Sequence, residues 1–193
     1  MKYSIYAILI SLVILSGCAS KPDPAKEMAM GLDGGLFVWE PGPAVAFVAG
    51  YEFEGQYKAN GIQIVFPMQR RTARPLPGLE VFLGPDLPTG QEMEFGGRTD
   101  SVWVIFRPSS ARPQPDGLLV GYDSGVPGGQ GRLVLEVCEA WPGGRIKGKL
   151  LYAKLRSTVY SQEQSDVVPS RNPSFLELWN WPFELELIES PYQ

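Results

Sequence analysis

Val45-Ala46-Phe47-Val48-Ala49-Gly50-Tyr51-Glu52-Phe53 sets the reading of the whole chain. The run is rich in the β-branched and aromatic residues that suit a pleated, half-buried surface. On an extended backbone successive side chains point to opposite faces, so Val45, Phe47, Ala49, Tyr51 and Phe53 share one face. The same period of two, rather than 3.6, recurs from Gly35 onward. Further strands are predicted over 62–66, 79–83, 102–106, 118–122, 133–138, 146–155 and 183–188, with Phe183, Leu185 and Leu187 on one face of the last. Gly or Pro punctuates nearly every gap between them. Only Lys26-Glu27-Met28-Ala29-Met30 reads as a helical turn. Eight or more short strands without a sustained helical pattern predict an all-β fold, a single antiparallel β-sandwich, with a β-barrel as the alternative. The sandwich is preferred because several joints are long and proline-rich, whereas an up-and-down barrel favours tight hairpins.

Ahead of this domain stand Met1-Lys2-Tyr3-Ser4, an apolar run from Ile5 to Leu15, and Leu15-Ser16-Gly17-Cys18. A short basic start, an apolar stretch too short for a stable membrane span and small residues before a cysteine favour a processed export signal. The segment resembles the signal peptide and lipobox of bacterial lipoproteins. The resemblance covers Met1 to Cys18 only. It implies a signal peptide over 1–17, a diacylglyceryl thioether on Cys18 after cleavage, and usually a further acyl chain on the new amino group. With each buried methylene worth about 0.8 kcal/mol, two or three chains make attachment to the membrane close to permanent. Ala19, where Gram-negative lipoproteins retained in the inner membrane usually carry Asp, leans toward the outer membrane in such a host. Residues 18–34, with Pro22 and Pro24 and little to bury, then read as a tether, and 35–193 as the folded domain.

Composition narrows the function classes. Removal of residues 1–17 takes one of the 17 basic residues and none of the 21 acidic ones, leaving a net charge of −5. A basic face is the footprint of nucleic-acid binding, so no nucleic-acid partner is expected. The cysteines are Cys18 and Cys138, and acylation of Cys18 leaves Cys138 without an intramolecular disulfide partner. Cys138 ends the strand-like Arg132–Val137 stretch and reads as a small hydrophobe.

The chain holds no histidine. Ser-His-Asp and Cys-His nucleophiles and imidazole-based zinc or copper sites are therefore impossible. No Gly-x-Ser-x-Gly elbow, Ser-x-x-Lys dyad, phosphate loop or calcium loop is present. The glycines around Gly125, Gly128, Gly129 and Gly131 precede a strand and read as turn formers. A carboxylate pair is enough for glycoside hydrolysis, and Glu52, Glu54, Glu136 and Glu139 lie on or beside predicted strands, but no spacing singles out a pair. No catalytic residue, metal or cofactor is expected.

Two polar, proline-rich joints, Pro67–Gly78 with Arg70, Arg71 and Arg74, and Arg107–Gly117, belong on the surface. The arginines of the first are candidates for contact with phosphate head groups or an acidic partner. A third joint, Ser157–Pro182, ends in Trp179-Asn180-Trp181-Pro182. Trp179 and Trp181 are two apart and are expected on one side of an extended backbone, placed either to pack at the rim or to meet a sugar, peptide or membrane. Arg145, Lys147 and Lys149 on one strand and Glu184 and Glu186 on another predict an antiparallel pairing of the two. The function expected is a protein-interaction or structural module of an envelope assembly; alternatives are a glycan, peptidoglycan or lipid binding module and, least favoured, a carboxylate hydrolase.

Overall fold

The computed structural model describes residues 28–32, 35–37, 43–67, 77–97, 101–107, 119–160, 168–169 and 174–190, and every regular element among them is a strand. In chain order these are β1 (Ala29–Leu32), β2 (Gly35–Phe37), β3 (Val45–Phe53), β4 (Gln56–Pro67), β5 (Pro77–Leu83), β6 (Glu92–Phe95), β7 (Val102–Phe106), β8 (Leu119–Asp123), β9 (Gln130–Cys138), β10 (Arg145–Tyr160), β11 (Val168–Pro169) and β12 (Phe175–Glu189). The fold is all-β. Cys18, Arg70, Arg71 and Arg74 lie outside the described residues.

All twelve strands belong to one sheet, ordered β2-β1-β12-β3-β4-β5-β7-β8-β10-β9-β6, with β11 against β10. A further pairing of β10 with β12 brings the path back to β12, so β12, β3, β4, β5, β7, β8 and β10 form a closed circuit. Closed barrels share such connectivity with sandwiches whose strands pass from one layer to the other. The pairings in the circuit are antiparallel except β3 with β12, which is parallel over Ala46–Val48 and Leu187–Glu189. β3 and β4 join through Glu54 and Gly55, both at positive φ (51° and 74°), the two-residue turn whose twist matches that of the flanking strands.

The core follows the period of two. Ala46 and Val48, Ile62 and Ile64, Leu79 and Val81, Val102 and Val104, and Leu133 and Leu135 fill the interior, each pair from alternate positions of its strand. The face that unites Val45, Phe47, Ala49, Tyr51 and Phe53 is the outward one, since Ala46 and Val48 take the core positions of β3.

β10 and β12 change phase together. On β12 the core positions are Leu176 and Leu178, then Trp181, Phe183 and Leu187; on β10 they are Ile146 and Leu150, then Ala153 and Leu155. Leu150 pairs with Trp181 and Tyr152 with Trp179, and Asn180 between the two tryptophans has φ 58°. The register between the two strands does not shift here; a residue in left-handed conformation turns every later side chain to the other face. Asn is among the few non-glycine residues that adopt it readily.

Three sequence expectations change here. Extended β1 begins at Ala29 and pairs with β12, so the helical turn drawn over Lys26–Met30 ends in a strand: Trp181 donates its indole N–H to the Ala29 carbonyl at 3.1 Å and holds the backbone in the sheet. The sheet thus starts inside the stretch read as tether. The joint drawn from Ser157 to Pro182 is strand at both ends, because β10 continues to Tyr160 and β12 starts at Phe175.

Candidate functional site

Trp179 and Trp181 are separated by the phase change and lie on opposite faces, which corrects the expectation of a same-side pair. Trp181 is fully buried, edge-on to Phe66 at 5.7 Å between ring centres. It is a core residue. Trp179 is half-buried on the outer face, 6.0 Å from the ring of Tyr152. Beside them the Tyr152 hydroxyl donates to Glu177 at 2.8 Å, and the Lys154 ammonium sits 4.3 Å above the Phe175 ring. Burial first, then the hydrogen bond and charge of Glu177, push the Tyr152 hydroxyl pKa far above its ordinary value.

The outer face of β3, β4, β5 and β7 carries the most developed surface feature. Register places Phe47 beside Gln63, Gln63 beside Phe82, and Phe82 beside Trp103 in one row. The rings of Phe82 and Trp103 are 5.1 Å apart and tilted by 30°, within the contact range of aromatic pairs. These side chains, with Asn60 and Ser101, line an open groove of about 500 Å³. A larger hollow of about 630 Å³ lies along β6, β9 and β10. Its walls are Glu94, Arg132 and glycine backbone around Phe95 and Tyr152, so it offers far less apolar area to a ligand than the aromatic groove. The groove is therefore the better candidate for binding.

The next row supports the groove from below. Val65, Glu80, Ile105 and Asp123 are successive register neighbours on β4, β5, β7 and β8. Glu80 and Asp123 are only 3% and 2% exposed, and each is tied. Glu80 accepts hydrogen bonds from Gln63 Nε2 at 2.8 Å and Arg107 Nη1 at 2.6 Å. Asp123 Oδ1 accepts from Trp103 Nε1 at 2.6 Å and from the Gly125 amide at 2.5 Å. The carboxylates thus fix Gln63 and Trp103, two of the groove's walls. Standing two strands apart, their backbones are separated by roughly 9–10 Å.

The sequence reading missed both carboxylates. Glu80 interrupts the apolar run Leu79-Glu80-Val81-Phe82-Leu83, and a charge inside such a run is the signal that marks it. The acids it did weigh are elsewhere: Glu52, Glu54 and Glu136 are exposed and Glu139 half-buried. Glu136 pairs with Lys147 at 2.8 Å, and Glu139 accepts the Arg145 amide at 2.8 Å. Hydrogen bonding to Glu136 raises the Lys147 pKa above its ordinary value. Cys138 is half-buried, and burial pushes its thiol pKa up, away from thiolate chemistry. Among the described residues no three Cys, Asp or Glu side chains gather as a metal site.

The charge pattern of the last strands is realised in register. Arg145 faces Glu186, Lys147 faces Glu184 and Lys149 faces Pro182, with side-chain contacts from Lys147 to Glu184 at 4.0 Å and from Arg145 to Glu184 at 3.6 Å.

No protein-family model matches the chain, and no curated protein or solved structure is significantly similar to it, so the fold and the groove stand as its identifying features.

Proposed function

We propose that this chain is a lipid-anchored interaction module of a bacterial cell envelope, held to the membrane through Cys18 and recognising an envelope protein with the outer face of β3, β4, β5 and β7. The observation that carries the reading is the outward turn of Phe47, Phe82 and Trp103. Three half-buried aromatic rings lie on this outer face, one of them fixed by a buried carboxylate. Holding large apolar side chains out of the core makes sense where another surface covers them. Gln63, Asn60 and Ser101 add polar groups at the rim that would orient a partner. Attachment at Cys18 rests on the lipobox resemblance, and an outer-membrane location on Ala19. The arginines Arg70, Arg71 and Arg74 stay candidate contacts from sequence.

A glycan is the second reading, favoured by the neighbouring Phe82 and Trp103 rings, since aromatic faces bordered by amide and hydroxyl groups suit sugar rings. Site-specific photocrosslinking in cells at position 82, with position 94 as the distant control, tests the proposal. One discrete protein adduct at position 82 alone, lost in the Phe47→Ser/Trp103→Ser variant, is the expected result. Absence of any protein adduct with retained binding to envelope polysaccharide would replace the first reading by the second.

A further inference from the structure

Six large hydrophobic side chains are more than a third exposed among the described residues, and four of them lie toward one end of the sheet. Tyr51 (54%), Phe53 (55%), Trp141 (50%) and Ile188 (53%) are the most exposed of the six. Ile188 stands one residue before the end of β12, where it pairs with Phe47. From that point β3 runs on past the end of β12 into the β3–β4 hairpin, which presents Tyr51 and Phe53. On the other side of β12 the β9–β10 turn carries Trp141. Its Gly143 amide donates to the Leu187 carbonyl and its Gly144 carbonyl accepts the Leu187 amide, each at 2.8 Å. Strand end and turn are thus side by side, and the hairpin projects beyond them from the same end of the sheet. Singly exposed apolar residues are ordinary on a soluble protein, but a cluster with Tyr and Trp at its edge has the composition of a membrane-interface contact.

The direction of β1 adds an independent observation. β1 is antiparallel to β12, with Ala29 opposite Trp179 and Leu32 opposite Leu176. The chain before Ala29 therefore leaves toward the Ile188 end of the sheet. Nine residues of strand separate Trp179 from Ile188, about 30 Å, and the ten residue steps from Cys18 to Met28 reach at most about 35 Å. The cysteine can stand level with Ile188 and Trp141.

We infer that this end of the sheet rests on the lipid interface, with Tyr51, Phe53, Trp141 and Ile188 in the head-group region of the bilayer that holds the Cys18 acyl chains. The inference builds on the lipid anchor of the proposed function. It gives the domain a fixed orientation rather than free rotation about a tether. Glu52, Glu54, Glu186 and Glu189 outnumber Lys58 and Arg145 at this end, so apolar contact with a zwitterionic surface, not attraction to anionic lipid, supplies the binding.

The acylated full chain, reconstituted in phosphatidylcholine vesicles with brominated or unbrominated acyl chains, tests this. Bromine quenches nearby indoles, and the difference between the unaltered chain and Trp141→Phe isolates Trp141. The expected result is a greater loss of emission in the unaltered chain than in Trp141→Phe, reduced by Tyr51→Ser/Phe53→Ser at unchanged melting temperature. Flotation with the vesicles, compared with Cys18→Ser, reads the anchor separately. Flotation that depends on Cys18 without a Trp141 quenching difference overturns the inference, and is the outcome if a protein covers these residues instead. Quenching that persists when flotation is independent of Cys18 upholds the contact and refutes the anchor. Neither flotation nor quenching refutes both.

Discussion

The indole N–H of Trp103 is donated to the buried carboxylate of Asp123 at 2.6 Å, which ties the aromatic wall of the groove to the turn after β8. Hydrogen bonds to a charged group contribute about 1.5–3 kcal/mol. Trp103→Phe keeps most of the ring and removes the donor. It is expected to lower stability by about that amount, less whatever the Gly125 amide and entering water recover. Urea unfolding with an unchanged m-value and a lower midpoint checks it. An unchanged midpoint would mean that the bond contributes nothing to fixing the groove.

Glu80 and Arg107 make a second contrast. Arg107 is partly exposed, but its partner is buried, and removing the cation leaves the Glu80 carboxylate held by the Gln63 amide. Arg107→Leu is expected to cost about 1–3 kcal/mol, below the 3–5 kcal/mol of a fully buried pair. Arg132 and Glu92 form a pair of similar length, 2.8 Å, with both side chains about half-exposed. Arg132→Ala should stay within about 0.5 kcal/mol of the parent. Equal losses in the two variants, measured side by side by denaturant unfolding, would show that burial of Glu80 is not what sets the cost.

The phase change of β12 is expected to depend on Asn180. A β-branched residue at φ 58° is strained by roughly 1–2 kcal/mol. Asn180→Val should therefore lower the melting temperature by roughly 2–8 °C in a domain of this size, and Asn180→Gly, which meets no steric penalty there, by less. Differential scanning calorimetry reads both. A valine variant as stable as the glycine one would locate the switch elsewhere.

Alkaline titration should expose Tyr152. Burial and Glu177 raise its folded-state pKa above the ordinary value near 10. The neutral phenol is thus favoured by folding. Its contribution is complete below about pH 10 and is lost as the pH climbs toward the raised folded-state value. Stability between pH 9 and 11.5 should fall less steeply in Tyr152→Phe than in the parent. Parallel curves in denaturant titrations would assign the alkaline loss to other groups.

Much of the fold is written locally. β3 and β7 occupy the very stretches that period-two patterning marks, and the charges of Arg145, Lys147, Glu184 and Glu186 specify the β10–β12 partnership before any contact is known. Which face of a strand turns inward is a different kind of information. In β3 both faces are apolar, Ala46 and Val48 on one and Phe47, Tyr51 and Phe53 on the other, so alternation alone does not choose between them. The choice is tertiary: it puts Ala46 and Val48 into the interior and Phe47 on the outer face. The groove was hidden for the same reason, since its rings come from three strands. The tryptophan pair misled because one dihedral, at Asn180, decides on which side Trp179 falls. Asn between two large residues in a strand is a legible warning of such a break, and it calls for reading the two halves of β12 separately.

β12 pairs with β1, β3 and β10, and it is the last of these strands along the chain. The circuit therefore cannot close until Phe175–Glu189 arrives. A chain emerging in sequence from a ribosome or a translocation pore presents three strand edges awaiting one late partner, and contacts between β1 and β12 span nearly 150 residues, the kind of topology that folds slowly. The segment that locks the earlier strands together is delivered last.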